Sequence, residues 1–232
     1  MSQDKKKFLD LVDLTEKYVR QQMDLGLDEF HSEQKAELKK NRIDSGKISL
    51  EEFCQQIKNC AKCHLHKSRT NFVFGVGNEN ADIVFVGEAP GREEDLKGEP
   101  FVGEAGKLLN KILLSVNFKR EEVYIGNILK CRPPENREPL PEEIEICQPY
   151  LLKQIDIIQP KFICALGRVS AQTLLKTKIA LGKLRGRFHD YNGIKLLTTY
   201  HPAALLRYPQ YKKDTWEDMK LLRKEYDQTI SR

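Results

Sequence analysis

The sequence predicts an α/β fold in which a mainly parallel sheet carries helices on both faces. Three apolar runs, residues 81–87, 123–129 and 161–167, have the length and composition of buried strands. Helical patterns lie between them at residues 103–117 and 141–158. Strands that alternate with helices of this length are typical of parallel sheets, because a parallel connection usually crosses the sheet through a helix.

Signals near the C-terminus add a hairpin and a last helix. Two short strands, around residues 188–191 and 195–199, are separated by Asn192-Gly193, a pair that is typical of hairpin turns. Met219 lies among charged residues in a pattern that predicts a closing helix.

The chain divides into two predicted parts. Residues 1–48 are polar and weakly patterned, which predicts a helical or partly disordered N-terminal extension without chemistry of its own. Residues 49–232 carry the strand and helix signals and form the predicted folded domain. This domain begins at Ser49, which forms a capping box with Glu52 at the start of a short helix.

The composition is that of an ordinary globular protein. The chain has 232 residues, of which 40% are hydrophobic and 31% are charged, and its formal net charge is +5. No run of 18 uninterrupted apolar residues occurs, which excludes a membrane-spanning segment of that kind. The N-terminal residues lack a secretory pattern, so we expect a reducing, cytoplasmic location. Six cysteines in such a compartment indicate metal ligands or buried thiols.

Four of the cysteines have the spacing of a metal site. Cys60 and Cys63 form a C-x-x-C pair that can bind one metal centre from a single turn, and Cys131 and Cys147 follow from distant segments. The spacing alone is compatible with tetrahedral zinc, with a 4Fe–4S cluster, or with buried thiols. Cys164 lies inside a predicted strand and is expected to be a core residue.

Three polar side chains lie within or directly after predicted strands and are candidates for a site. Open parallel sheets bind their ligands beyond the carboxyl ends of the strands. Glu88, in the loop GEAPG, is placed to hold a water molecule, Asn127 interrupts an apolar run, and His201 follows the last predicted strand. Each has a structural alternative, namely an ordinary loop residue, a hydrogen-bonded core amide and a structural histidine.

A basic segment, residues 176–188, carries five Lys and Arg side chains and no acidic residue. A basic loop interrupted by glycines suits contact with a phosphate backbone, and the alternative is a solvated surface. Lys183, Arg185 and Arg187 are therefore candidate DNA contacts.

The order of these motifs resembles the iron–sulfur uracil-DNA glycosylases (family 4). The resemblance rests on C-x-x-C followed by FGVGNENADIVFVGEAPGREEDLKGEPFVGEAGKLL, YIGNILKCRPPENR, CQPYL and YHPAALLR, and it extends from about residue 53 to the end. It implies a three-layer α/β/α sandwich with a central, mainly parallel four-stranded sheet, so that residues 49–232 become a glycosylase domain. It also implies that a structural 4Fe–4S cluster is bound by Cys60, Cys63, Cys131 and Cys147.

The resemblance further implies roles for individual side chains. Asn127 matches the residue that reads O4 and N3–H of a flipped uracil, and Phe101 matches the ring on which the base stacks. His201 matches the donor to uracil O2, and Glu88 matches the residue that orients the attacking water. Gly87 and Ala89 are further expected contacts of the base. The expected DNA contacts are Lys183, Arg185, Arg187, Arg207 and Leu205, with Leu205 or its neighbour Leu206 as the wedge that fills the gap left by the flipped base.

We expect a monofunctional, monomeric enzyme that acts on uracil-containing DNA without a diffusible cofactor. Ala89 and Gly91 stand where better-known uracil glycosylases carry a catalytic Asp and a thymine-excluding Tyr, so residues 92–95 are the candidate wall against thymine. The alternatives are a non-catalytic iron–sulfur protein that binds DNA through the same basic face and a zinc-site hydrolase of phosphate esters.

Overall fold

The computed structural model describes residues 48–230, and a six-stranded sheet lies at the centre of this part. Its strands are β1 (Val76–Gly77), β2 (Ile83–Gly87), β3 (Tyr124–Asn127), β4 (Phe162–Leu166), β5 (Phe188–Tyr191) and β6 (Ile194–Thr199). They lie in the order β1-β3-β2-β4-β6-β5. The four central strands are parallel, and β1 and β5 pair antiparallel at the two edges.

Helices connect the strands and complete the fold. They are α1 (Leu50–Ile57), α2 (Arg92–Lys97), α3 (Glu104–Ser115), α4 (Pro141–Ile158), α5 (Arg168–Leu174), α6 (Leu181–Leu184), α7 (Pro202–Arg207) and α8 (Lys212–Ile230). Short 3₁₀ turns lie at His64–Lys67, Arg120–Glu122, Pro134–Asn136 and Pro209–Tyr211. None of the helices in residues 48–230 combines the length and apolar character needed to cross a membrane.

The predicted architecture is confirmed. The four parallel strands correspond to the expected central sheet, and β5 and β6 form the hairpin predicted around Asn192-Gly193. The two-residue strand β1 was not predicted, and it extends the sheet beside β3. The predicted extension, residues 1–48, lies outside the described part of the chain except for its last residue, so it stays a prediction.

The sheet separates two apolar clusters, and this makes the fold three-layered. Val84 and Val86 of β2 contribute to one cluster, which also contains Leu151 of α4, whereas Ile83 and Phe85 contribute to the other. Helix α5 adds residues to the first cluster, and helices α3 and α8 add residues to the second. Because β2 is buried on both faces, its sequence is continuously apolar and does not alternate.

The first described helix has the predicted capping box. The Ser49 N–H donates to Glu52 Oε2 at 2.8 Å, and the Glu52 N–H donates to Ser49 Oγ at 3.1 Å. These two bonds satisfy backbone donors at the start of α1, which leads directly to the first cysteine pair.

A buried ion pair attaches α8 to the end of β6. The carboxylate of Asp218 is fully buried and accepts hydrogen bonds from Thr199 Oγ1 at 2.7 Å and from Arg185 Nε at 3.0 Å and Nη2 at 2.9 Å. Burial raises the pKa of the Asp218 carboxyl, while Thr199 and Arg185 act in the opposite direction. Thr199 is the last residue of β6, so this contact fixes the strand end that precedes His201.

Asp218→Asn should lower the free energy of unfolding by about 3 kcal/mol, because it leaves the Arg185 guanidinium without its buried counter-charge. Asp227→Asn is a matched control on the same helix, since its ion pair with Arg223 lies at the surface and should contribute less than about 1 kcal/mol. Urea unfolding followed by circular dichroism measures both losses. Equal losses in the two variants would contradict the role given to Asp218.

Candidate active site

The ends of β2, β3 and β6 meet at one edge of the sheet and enclose a cavity of about 430 Å³. These strands belong to the parallel part of the sheet, so their carboxyl ends share this edge. Glu88, Asn127 and His201, one from each strand end, line the cavity together with Phe101. The structure thus brings together the four side chains for which the sequence predicted base binding and catalysis.

Asn127 lines the cavity and carries a polar atom without a hydrogen-bond partner among the described residues. It is the last residue of β3, pairs with Gly87 in the sheet and is 2% exposed. Its Oδ1 atom is buried and accepts no hydrogen bond from any described residue. A buried polar atom without a partner is costly and rare in folded proteins, so the Asn127 amide is available to a ligand with an N–H donor.

Gly87 makes room for the amide and for the aromatic ring. A Cβ atom built on Gly87 would lie 2.3 Å from Asn127 Oδ1 and 2.7 Å from Phe101 Cζ. Any larger residue would therefore displace both side chains. Gly87 itself does not line the cavity, so its expected contact with the base stays a prediction, and its missing side chain leaves room for the two groups beside it.

The Phe101 ring is held in place by an unusual backbone and by Glu94. Phe101 is 5% exposed and has a φ of +54°, which non-glycine residues rarely adopt. The Glu94 carboxylate lines the cavity and accepts from the N–H groups of Val102 and Gly103, both at 2.9 Å through Oε1. These bonds fix the turn after Phe101. Glu94 is thus the member of the predicted wall, residues 92–95, that reaches the cavity.

His201 is positioned by the helix that follows it. It is the N-cap residue of α7, and its Nδ1 atom accepts from the Ala203 N–H at 3.1 Å. Because Nδ1 is the acceptor, the neutral imidazole carries its proton on Nε2. Burial, with a further contribution from Arg207, lowers the pKa of His201 to about 4. Its ring centroid lies 5.4 Å from that of Phe101.

Glu88 follows β2 directly and is half-buried. Its carbonyl accepts from the Leu129 N–H at 3.0 Å, which ties the loop after β2 to the loop after β3. Burial is the main cause that raises the pKa of the Glu88 carboxyl, and Glu138 acts in the same direction. A carboxyl with a raised pKa in a cavity has the property of a general base or of a group that orients water. Ala89 and Gly91 line the cavity beside it.

Arg137 also lines the cavity, and it is not among the site residues predicted from the sequence. Arg137 donates through Nη1 and Nη2 to the buried carboxylate of Glu143 at 2.9 Å and 2.6 Å. It belongs to the segment CRPPENR that begins at Cys131. The motif contains Arg137, but no local pattern indicates that this segment returns to the edge of the sheet.

The four cysteines predicted as ligands gather at the side of the same core. Cys60, Cys63, Cys131 and Cys147 pack in or against one apolar cluster. Donors surround their sulfur atoms: Tyr150 Oη donates to Cys60 Sγ at 3.1 Å, Arg69 Nη1 to Cys131 Sγ at 3.1 Å, and the Lys130 N–H to Cys147 Sγ at 3.3 Å. Such hydrogen bonds stabilise thiolates that bind a metal.

Comparison with known proteins decides the family. The family model described as the uracil DNA glycosylase superfamily matches residues 74–220. A type-4 uracil-DNA glycosylase of Archaeoglobus fulgidus is 49% identical over 180 residues, which are 74% of this chain and 90% of that protein. The type-4 enzyme of Saccharolobus solfataricus is 45% identical, with 74% and 84% covered, and that of Thermotoga maritima is 48% identical, with 68% and 83% covered. The chain belongs to the type-4 uracil-DNA glycosylase family.

The cysteine site fits the iron–sulfur centre that this family resemblance implies. Burial is the main cause that raises the pKa of the Cys147 thiol to about 12, and a bound metal would be needed to keep such a thiol deprotonated. Within residues 48–230, no three His, Cys, Asp or Glu side chains converge closely enough to hold a single metal ion. Four cysteine sulfurs are a donor set that iron–sulfur clusters use, and zinc accepts the same set.

Two of the residues predicted to contact DNA face inward. Leu205 is 1% exposed and packs inside the protein, whereas Leu206 is 48% exposed. The prediction for Leu205 is therefore corrected, and Leu206 is the exposed leucine of the pair. Arg185 is also corrected, because its guanidinium is paired with Asp218 and donates to the Asp214 carbonyl.

The other predicted DNA contacts lie at the surface. Lys183 and Arg187 are exposed, and Arg207 is exposed at the end of α7 while its side chain also lines the cavity. These three cations are thus accessible to a phosphate backbone.

The structure predicts that the His201 imidazole is uncharged at neutral pH. Its single ring proton should lie on Nε2. The ¹⁵N chemical shifts of this ring should show an unprotonated Nδ1, and the ring should titrate near pH 4 and not near the usual 6.5. Because the folded-state pKa is depressed, His201 should contribute stability above about pH 6.5 that is lost as the pH falls toward 4. A His201 ring that titrates near pH 6.5 would contradict the assigned environment.

Proposed function

We propose that this protein is a monofunctional uracil-DNA glycosylase, which binds a uracil nucleotide flipped out of DNA and hydrolyses its N-glycosidic bond. The observation that carries the proposal is that Glu88, Phe101, Asn127 and His201 line one cavity at the edge of the sheet. The type-4 relatives, named for the same activity, support it. The products are free uracil and an abasic site.

Asn127 is the residue that reads the base. Uracil presents N3–H as a donor and O4 as an acceptor, and one amide complements both through Oδ1 and Nδ2. Cytosine reverses both groups, so the same amide would face an acceptor with its oxygen and a donor with its nitrogen. Such a mismatch inside a buried site disfavours cytosine by a few kcal/mol.

Phe101 and Glu94 shape the slot for the ring. A base stacked on an aromatic side chain gains on the order of 1–3 kcal/mol. The Glu94 carboxylate, bound to the backbone after Phe101, stands in the wall formed by residues 92–95 and is our candidate for the group that limits the size of the base.

His201 stabilises the leaving base. When the bond between deoxyribose C1′ and uracil N1 breaks, the electron pair moves onto the base and charge develops at O2. The Nε2–H of the neutral imidazole donates a hydrogen bond to that oxygen, and the low pKa of His201 keeps the proton arrangement constant across neutral pH. The hydrogen bond that the Ala203 N–H donates to Nδ1 fixes the orientation of the ring.

Glu88 acts on the other side of the scissile bond. Its carboxylate orients the attacking water and favours positive charge on the sugar. The water oxygen bonds to C1′, one of its protons ends on the departing base, and the sugar keeps the new hydroxyl group. No lysine is among the described residues that line the cavity, which supports hydrolysis without a Schiff-base lyase step.

The surrounding residues bind the strand and hold the loops. Lys183, Arg187 and Arg207 contact phosphates, and Leu206 enters the gap in the base stack. The cysteines at positions 60, 63, 131 and 147 hold a structural 4Fe–4S cluster, which when bound joins three chain segments and supplies no chemistry to the reaction. We propose that the enzyme acts as a monomer in the cytoplasm. The complete set of cavity side chains favours catalysis over a purely DNA-binding role.

Asn127→Ala and His201→Ala should each lower the single-turnover rate of uracil release by about 100-fold or more, because each removes a contact to the reacting base. The substrate is a labelled oligonucleotide with one uracil, and alkaline cleavage reports the abasic product. Asn80→Ala, an exposed asparagine outside the cavity, is the matched control and should keep the wild-type rate.

The melting temperature distinguishes a lost contact from a lost fold. Within residues 48–230 nothing donates a hydrogen bond to Asn127 Oδ1, so Asn127→Ala should melt within a few degrees of wild type. Wild-type protein that releases uracil no faster than both cavity variants would defeat the proposed function.

A further inference from the structure

A buried polar chain connects the cysteine site with the strand end that carries Asn127. Lys130 and Gln154 are both fully buried, although lysine and glutamine are usually exposed. Lys130 lies between Asn127 and Cys131 in the sequence, and Gln154 faces it from α4. Neither residue lines the cavity, and neither has a role in the proposed reaction.

The hydrogen bonds of this chain lead to the Asn127 peptide. Lys130 Nζ donates to the Asn127 carbonyl oxygen at 3.0 Å and to Gln154 Oε1 at 2.6 Å. Gln154 Nε2 donates to Tyr124 Oη at 2.8 Å and to the Phe74 carbonyl at 3.0 Å. The amide of Gln154 is thereby fully oriented, and it in turn orients the Lys130 amine.

The backbone of Lys130 reaches the cysteine site. Its N–H donates to Cys147 Sγ at 3.3 Å, and its carbonyl accepts from the Val73 N–H at 2.8 Å. One residue therefore contacts a proposed cluster ligand through its main chain and the base-reading strand end through its side chain.

The fold makes special room for this chain. Gly75 has a φ of +142°, and a Cβ atom there would lie 2.2 Å from Tyr124 Oη. The Tyr124 hydroxyl can therefore reach Gln154 only because residue 75 has no side chain. A methionine at position 130 would fill similar volume without desolvating an amine, so apolar packing alone does not account for Lys130.

The direction of the Asn127 side chain depends on its own backbone. None of the described residues donates a hydrogen bond to its Oδ1 that could hold the amide in place. On one side the strand pairing with Gly87 fixes the residue, and on the other side the bond from Lys130 to its carbonyl does so. A rotation of this peptide would turn the amide away from the base, and Phe101 and His201 could not correct it.

We propose that Lys130 and Gln154 are positioning residues for the base-reading amide: they hold the Asn127 peptide at a fixed orientation relative to the cysteine site. The proposal rests on the proposed function of Asn127. Lys130 Nζ can donate its two hydrogen bonds whether the amine is neutral or protonated. The link therefore depends on the geometry of the side chain and not on its charge. It gives the cysteine site a specific structural task, which is to anchor the segment that aims the amide.

A double-mutant cycle on the full-length protein tests the link. Lys130→Met keeps the length of the side chain and removes its donors, and it is combined with Asn127→Ala. Equilibrium dialysis with radiolabelled uracil measures the dissociation constant, and single-turnover uracil release is measured beside it. Thr215→Val is the matched control, because it alters a buried hydroxyl that has no hydrogen-bond partner among the described residues. Iron content and visible absorption report whether each variant retains its cluster.

Lys130→Met should raise the dissociation constant of uracil about tenfold, and it should have no further effect once Asn127 is alanine. Thr215→Val should stay within twofold of wild type. If Lys130→Met loses iron, Gln154→Leu replaces it in the same cycle, since it removes the partner that orients the Lys130 amine.

Either of two results would overturn the proposal. The first is a uracil affinity within twofold of wild type in Lys130→Met or in its replacement Gln154→Leu. The second is an effect on affinity that adds in full to that of Asn127→Ala. If Asn127→Ala itself leaves uracil affinity unchanged, the failure belongs to the proposed function. If Asn127→Ala weakens binding and the Lys130 and Gln154 variants do not, only the positioning role fails.

Discussion

A buried amide oxygen without a hydrogen-bond partner is the constraint around which this structure is organised. No described residue donates a hydrogen bond to Asn127 Oδ1, and this costs free energy. The packing of the rest of the fold must offset that cost. The parallel sheet places Asn127 at a strand end, and Gly87 leaves space beside it. The surrounding side chains then hold an aromatic ring and an imidazole at the mouth of the same slot. The free-energy cost thus falls on the side chain that we propose reads the base.

The same desolvation acts on the two ionisable groups of the cavity in useful directions. Burial disfavours the charged form of each, so it lowers the pKa of His201 and raises that of Glu88. The imidazole is thereby kept neutral with a proton available on Nε2, and the carboxyl comes closer to the range in which it can accept a proton. One physical cause thus gives both groups the protonation states that their proposed roles require.

The sequence predicted the features that depend on local pattern. The apolar runs predicted β2, β3 and β4, and Ser49 with Glu52 predicted the cap of α1. The rule that ligands bind at the carboxyl ends of parallel strands predicts that these three polar side chains share one edge of the sheet. The resemblance then added the roles of these side chains and the ligand set of the cluster.

The features that sequence could not predict depend on partners far apart in the chain. A basic run suggested that Arg185 faces DNA, but its partner Asp218 lies 33 positions away and draws it inward. Leu205 and Leu206 are adjacent and chemically identical, and only the packing of α7 decides which one is buried. The Glu94 contacts to the turn after Phe101 are likewise invisible in the pattern. In each of these cases, tertiary contacts set the direction of the side chain.

A crystal structure of the protein soaked with uracil tests the central claim most directly. The account predicts that the ring stacks on Phe101, with N3 within hydrogen-bonding distance of Asn127 Oδ1 and O2 within that distance of His201 Nε2. A uracil bound at any other surface, or a cavity that excludes the base while Asn127 Oδ1 bonds to another protein group, would contradict it.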